Sequence, residues 1–156
     1  MSGLWGDQIR NCLKNVPEFC GVFARDTYTV RPGAAVINTA RSSEAGEHWV
    51  CLLVGDWGGA FYFDSYGRPP FPEIARATRD LDVSFNPIKF QTSNLPACGH
   101  YCVYLVRNAG NIDRALEAFK MQDEVIMSLV GTCGSRSGQT CRGASCTTNV
   151  VGKHIW

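Results

Sequence analysis

The sequence predicts an α+β fold, and three observations carry that prediction. Compact apolar runs rich in valine and aromatic residues, AAVINTA (34–40), HWVCLLV (48–54) and AFYFDSY (60–66), have the length and composition of strands. Segments with apolar residues at helical spacing stand before and after them in the chain. The proportions, 45% apolar and 19% charged over 156 residues, are those of a globular chain long enough to bury a core without metal or disulfide staples.

Taken in order, residues 4–16 carry Ile9, Leu13 and Val16 at helical intervals, and Pro17 closes that amphipathic helix. The three strands follow. SSEAGE and GDWGG between them read as turns, which makes the last two strands a hairpin. RPPFPEIARATRDL is a loop entering a surface helix around residues 73–80. SFNPIKFQ (84–91) is expected as an edge strand, because Pro87 cannot donate a ladder hydrogen bond. An apolar helix runs from about Ala97 to Arg107. The stretch 111–130 then places Ile112, Leu116, Phe119, Val125 and Leu129 at roughly helical intervals, with Asn111 as its cap. From Gly131 the texture changes to glycine, serine and threonine with three cysteines and no acid. The expected organisation is one domain over 1–130 and a tail over 131–156, in which TTNVV reads as a returning strand.

A net charge of +1 gives no large positive field, so weak or no nucleic-acid binding is expected. Arg136, Arg142 and Lys153 in the tail are read as solvated. The N-terminus lacks a basic segment followed by a long apolar one, and no stretch approaches the length of a membrane span. The expectation is therefore an intracellular protein away from membranes, with its eight cysteines reduced.

A cysteine nucleophile needs a base, a group that orients the base, and donors aimed at the developing oxyanion. His48 starts one strand of the hairpin and Asp64 lies near the end of the other, so pairing can bring them to one edge. Cys98 falls at the start of a helix, where unpaired N–H groups and the helix dipole favour a thiolate. Gly99 allows close backbone approach, Trp49 packs beside the imidazole, and Gln91 can present an amide N–H beside that of Cys98. Each residue singly has a plainer reading, as a structural histidine, a turn-forming aspartate or a core thiol; Cys102, one turn beyond Cys98, is read as core.

The joint order changes the reading. GEHWV, FDSYG with Asp64 sixteen residues after His48, and Gln91 ahead of ACG together resemble the His, acidic, Gln, Cys order of the adenovirus protease, adenain. AVINTA upstream of the histidine is similar as well, and the likeness spans residues 20–107. The order is shared more distantly by SUMO-deconjugating proteases. The resemblance implies a papain-like fold with its elements in permuted order, a central mainly antiparallel sheet packed by helices. It implies Cys98 as nucleophile, His48 as general base, Asp64 as orienter and Gln91 in the oxyanion hole. It further implies a monomeric endopeptidase that cleaves viral precursor or capsid proteins near glycine, located in host nucleus and virion, with no required cofactor and no metal.

Two departures bear on that likeness. Asp64 stands where adenain has glutamate, and the chain is shorter at its C-terminal end. An activating peptide or DNA remains open as a partner, but the segment 71–90 has no cysteine to which a peptide could be tethered. Two other readings stand beside the endopeptidase. One is a deconjugating protease for a ubiquitin-like modifier. The other is a metal-binding interaction module using Cys98, His100 and Cys102, or Cys133, Cys141 and Cys146, although none of these has paired C-x-x-C spacing.

Overall fold

The computed structural model describes residues 2–134. Five strands and five helices follow in the order α1 (Gly6–Leu13), β1 (Phe19–Phe23), β2 (Gly33–Asn38), β3 (Trp49–Val54), β4 (Gly59–Phe63), α2 (Pro72–Ala77), β5 (Asp82–Phe85), α3 (Cys98–Arg107), α4 (Ile112–Ala118) and α5 (Asp123–Val130). The strands form one sheet in chain order. Its inner pairs, β2–β3 and β3–β4, are antiparallel, and its outer pairs, β1–β2 and β4–β5, are parallel. The sheet is therefore mixed rather than mainly antiparallel. The hairpin forces the antiparallel pair, whereas β4 reaches β5 by crossing over through α2, a connection that returns the chain in the same direction.

The side chains of β3 show why HWVCLLV reads as continuously apolar. Trp49, Cys51 and Leu53 enter the main core with Phe63, against Ile9 and Leu13 of α1, Tyr101 and Leu105 of α3, and Phe119. Val50 and Leu52 face the other way, onto Ala60, Tyr62 and Ile74 of α2. A strand buried on both faces has no polar side to alternate with. Cys51 and Cys102 are both fully buried, Cys102 as read from the sequence.

Several expectations need correction. β1 was not foreseen: Gly21 takes φ +138°, and the pairing slips between Phe19 and Gly21, which breaks the two-residue alternation. The edge strand stops at Phe85, and residues 86–91 leave the sheet, since Asn86 turns its side chain to the Asp64 backbone and Pro87 has no N–H. The stretch 111–130 is two helices. Asn111 does cap the first, accepting from the Arg114 N–H at 3.1 Å. The break resets the apolar face: Ile126, Met127 and Val130 are buried, while Leu129 is 55% exposed.

Cysteine reduction is overturned at one pair. Cys12 at the end of α1 and Cys133 beyond α5 form a disulfide, with Cα atoms 5.0 Å apart. Residues 121 apart in sequence meet because both elements pack on α3, a proximity that spacing cannot reveal. Cys20, Cys51, Cys98 and Cys102 are free thiols. Among the described residues no helix is long and apolar enough to cross a membrane. The expected TTNVV strand, Cys141, Cys146, Arg136, Arg142 and Lys153 lie outside the described residues.

Candidate active site

His48 immediately precedes β3, and its backbone is held by the Thr39 N–H, which donates to the His48 carbonyl at 2.8 Å. The preceding corner is fixed by Asn38, whose Oδ1 accepts from the N–H groups of Ala40 and Glu47. Asp64 immediately follows β4 and opens a tight turn: Gly67 N–H donates to the Asp64 carbonyl and Tyr66 N–H to its Oδ1, both at 2.8 Å. Gly67, at φ +76°, makes that turn possible. A Cβ there would lie 2.7 Å from the Ile88 carbonyl carbon.

The hairpin brings the two side chains together. His48 Nε2 lies 2.8 Å from Asp64 Oδ1, with both residues almost wholly buried. The second carboxylate oxygen accepts from Arg68 Nε at 2.9 Å. Asn86 brackets the Asp64 backbone, accepting from its N–H at 3.2 Å and donating to its carbonyl at 3.0 Å. Burial alone would raise the Asp64 carboxyl, but the bonds from His48, Tyr66 and Arg68 outweigh it and hold the group below its ordinary value. For His48, burial works downward, yet the Asp64 hydrogen bond, with the bond and charge of Cys98, lifts the imidazole to about 9. With Nε2 committed to Asp64, Nδ1 is the nitrogen left for Cys98.

Cys98 is the first residue of α3 and half-buried. Gly99 behind it fits under Trp49 and Leu4: a Cβ would meet Trp49 Cδ1 at 3.1 Å and Leu4 Cβ at 3.2 Å. Trp49 is itself pinned by an indole N–H bond to the Leu4 carbonyl at 3.0 Å. Trp49 therefore seats the start of α3 on the sheet, while the ring stacked on His48 is that of Tyr66, at 4.7 Å between centroids.

Gln91 is buried, and its place is set from Ser65. Its backbone N–H donates to the Ser65 carbonyl at 2.9 Å, and its Oε1 accepts from Ser65 Oγ at 2.7 Å. Nε2 donates to the Leu95 carbonyl at 2.8 Å. A carbonyl only accepts, which fixes the amide orientation and leaves a second N–H on Nε2. Gln91 thus binds the loop leading into α3, and no bond joins it to Cys98 itself among the described residues.

The structure joins His48 to Asp64 by a hydrogen bond and sets Cys98 near enough to raise the imidazole, with Gly99 packed against Trp49 and Gln91 tied to the loop ahead of Cys98 through Leu95. Sequence reasoning missed Ser65, Tyr66, Gly67, Arg68 and Asn86. The Asp-Ser-Tyr-Gly turn was a usable signal for the first three, because an aspartate bonding the N–H two residues on, ahead of a glycine, is a known turn form. Asn86 carried none. His100 points elsewhere: it is buried, its Nδ1 has no partner, and burial pushes it down to about 4 despite a bond to the Pro96 backbone. Among the described residues no group of three or more His, Cys, Asp or Glu is placed to hold a metal ion, and Cys133 is spent in its disulfide.

Fold and site together define an α+β architecture with a mixed five-stranded sheet, in which a histidine–aspartate hairpin precedes the cysteine helix. The chain matches the crystal structure of the ASFV pS273R protease with a TM-score of 0.57 and 17% identity, covering 86% of this chain and 68% of that one. It also matches the selenomethionine crystal structure of that protease with a TM-score of 0.49 and 22% identity, covering 69% of this chain and 46% of that one. No protein-family profile matches the chain. No curated protein matches it.

Proposed function

We propose that this chain is a cysteine endopeptidase of adenain type, cutting viral precursor or capsid proteins beside glycine. The observation that carries the proposal is the buried 2.8 Å contact between His48 and Asp64, with Cys98 at a helix start and near enough to raise the imidazole. Shared fold with a protease supports it. In this reading the Cys98 sulfur attacks the scissile carbonyl carbon, with its proton taken up on His48 Nδ1. Charge develops on the carbonyl oxygen, where the Cys98 backbone N–H and the second N–H of Gln91 Nε2 receive it. Collapse breaks the C–N bond, and the departing amine takes the proton from His48. Water then attacks the thioester, returns a proton through His48 and frees the thiol. Asp64 keeps the imidazole in the tautomer whose Nδ1 meets sulfur, and Arg68 and Tyr66 N–H keep Asp64 ionised.

A monomeric state is part of the same proposal and rests on the resemblance to adenain. The preference for glycine, the viral substrates and a nuclear and virion location rest on the resemblance of GEHWV, FDSYG and ACG to adenain. The experiment is mass spectrometry of a peptide library digested by the purified protein and by Cys98→Ala. Cleavage beside glycine by the first and none by the second, at equal melting temperature, is the expected result. Capture of a ubiquitin-like suicide probe without peptide cleavage would favour a deconjugating enzyme instead, and cleavage retained in Cys98→Ala would overturn the assignment.

A further inference from the structure

Beside the His48 imidazole lies an open groove of about 470 Å³ lined by Tyr66, Arg68, Lys89, Thr92, Ser93 and Asn94. Its position ties it to the chemistry. Tyr66 stacks on His48 with an interplanar angle of 18°, so one wall of the groove is the ring that covers the imidazole. Residues 92–94 lie on the loop between Gln91 and Cys98, so the opposite wall belongs to the segment that leads in the chain to the cysteine helix. Lys89 is brought beside Tyr66 by Gly67, which lets the 64–67 turn touch the backbone of Ile88 and Lys89.

The charge in this groove is one-sided. Arg68 and Lys89 both stand over the Tyr66 ring, at 5.1 and 5.5 Å from its centroid. Arg68 commits Nε to Asp64 and keeps its remaining donors. Lys89 is exposed and has no carboxylate partner among the described residues. Two acids are near, and neither is available. Asp64 is taken by His48, Tyr66 and Arg68. Asp123, 2% exposed, accepts from Ser93 N–H and Oγ on one oxygen and from Tyr101 on the other. The groove thus offers two cationic heads and hydroxyl and amide groups, with no carboxylate facing them.

We propose that this groove is a substrate subsite for the carboxylate of an aspartate or glutamate within a few residues of the scissile bond, an inference that rests on the peptidase reading. Lys89 supplies the attraction, Arg68 a directed N–H, and the Tyr66 ring a floor that holds both cations in place. It makes Lys89 a specificity residue and Tyr66 a link between substrate seating and the orientation of His48.

The test uses the full chain and a neutral glycine-containing peptide, with one glutamate or one glutamine walked through the three positions on each side of the cut. At one of these positions glutamate should raise kcat/KM about fivefold over glutamine, the size expected of a partly exposed charge-assisted contact. That ratio should shrink as salt is raised from about 0.05 to 0.5 M, since exposed charges are screened. In Lys89→Glu it should fall to one or below, with lysine preferred at the same position. Equal cleavage of glutamate and glutamine peptides at every position, or a preference unchanged in Lys89→Glu, overturns the subsite while leaving the peptidase intact. Failure of the wild-type chain to cut any peptide of the set overturns the peptidase reading and the subsite with it.

Discussion

Replacing Asp64 by asparagine keeps the size of the side chain and removes its charge from the centre of the site. His48 is lifted from an ordinary 6.5 to about 9 against the opposing effect of burial. At about 1.4 kcal/mol per pH unit, that lift corresponds to roughly 3 kcal/mol in favour of the protonated ring, net of the burial that Asp64 and Cys98 together overcome. The Asp64 hydrogen bond is the largest of the raising contributions, so its loss should remove a large part of that lift. The sign follows from linkage. A histidine raised in the folded state contributes stability that is fully present below about 6.5 and is lost as pH climbs through about 9. Asp64, lowered in the folded state, contributes at the acid end, present above 3.8 and lost as pH falls through its folded value. The attraction is one interaction and is counted once. Asp64→Asn also sets its amide N–H₂ against Arg68 Nε, a donor facing a donor, if its oxygen stays on His48. Urea denaturation of wild type and variant near pH 5.5, 7.5 and 9.5 should show a gap of ~2 kcal/mol or more at the lowest pH that narrows markedly at the highest. His48, followed by NMR, should titrate more than one unit lower in the variant, and kcat/KM should fall about 10²-fold or more. A stability gap that is the same at all three pH values, or an unmoved histidine titration, would refute this account of the pair.

Two further outcomes follow from neighbouring residues. Gln91→Ala should lower kcat on the order of 10²–10³ with a smaller change in KM, and Ser65→Ala, which frees the Gln91 amide, should show a milder loss of the same kind; a change confined to melting temperature in both would make Gln91 structural. His100 is buried and held near 4, so the unfolded chain binds a proton that the folded one refuses between about 6.5 and 4. It should therefore remove roughly 3 kcal/mol of stability as pH falls across that window, and His100→Gln should flatten the acid limb in denaturation at pH 7, 5.5 and 4. An equally steep limb in the variant would place the acid sensitivity elsewhere.

The sequence by itself determined the strands and helices whose periodicity is uninterrupted. It named β2, β3, β4 and α3 closely, and Asn111 as a cap, because each depends on residues adjacent in the chain. It also put His48 and Asp64 at the same end of one hairpin, since a hairpin is the shortest route by which sequence order becomes proximity. What depends on distant segments was decided only in three dimensions. Gly21 and its slipped register hid β1, and the parallel outer pairs came from crossover connections that no local pattern encodes. Asn86, 22 residues from Asp64, became its backbone clamp only when the chain after β5 returned to the hairpin turn. The Cys12–Cys133 bridge arose because α1 and α5 both pack on α3. The cationic groove beside His48 is of the same kind: Arg68 and Lys89 are ordinary surface residues in sequence. They share one aromatic floor because Gly67, lacking a Cβ, lets two turns meet at backbone contact.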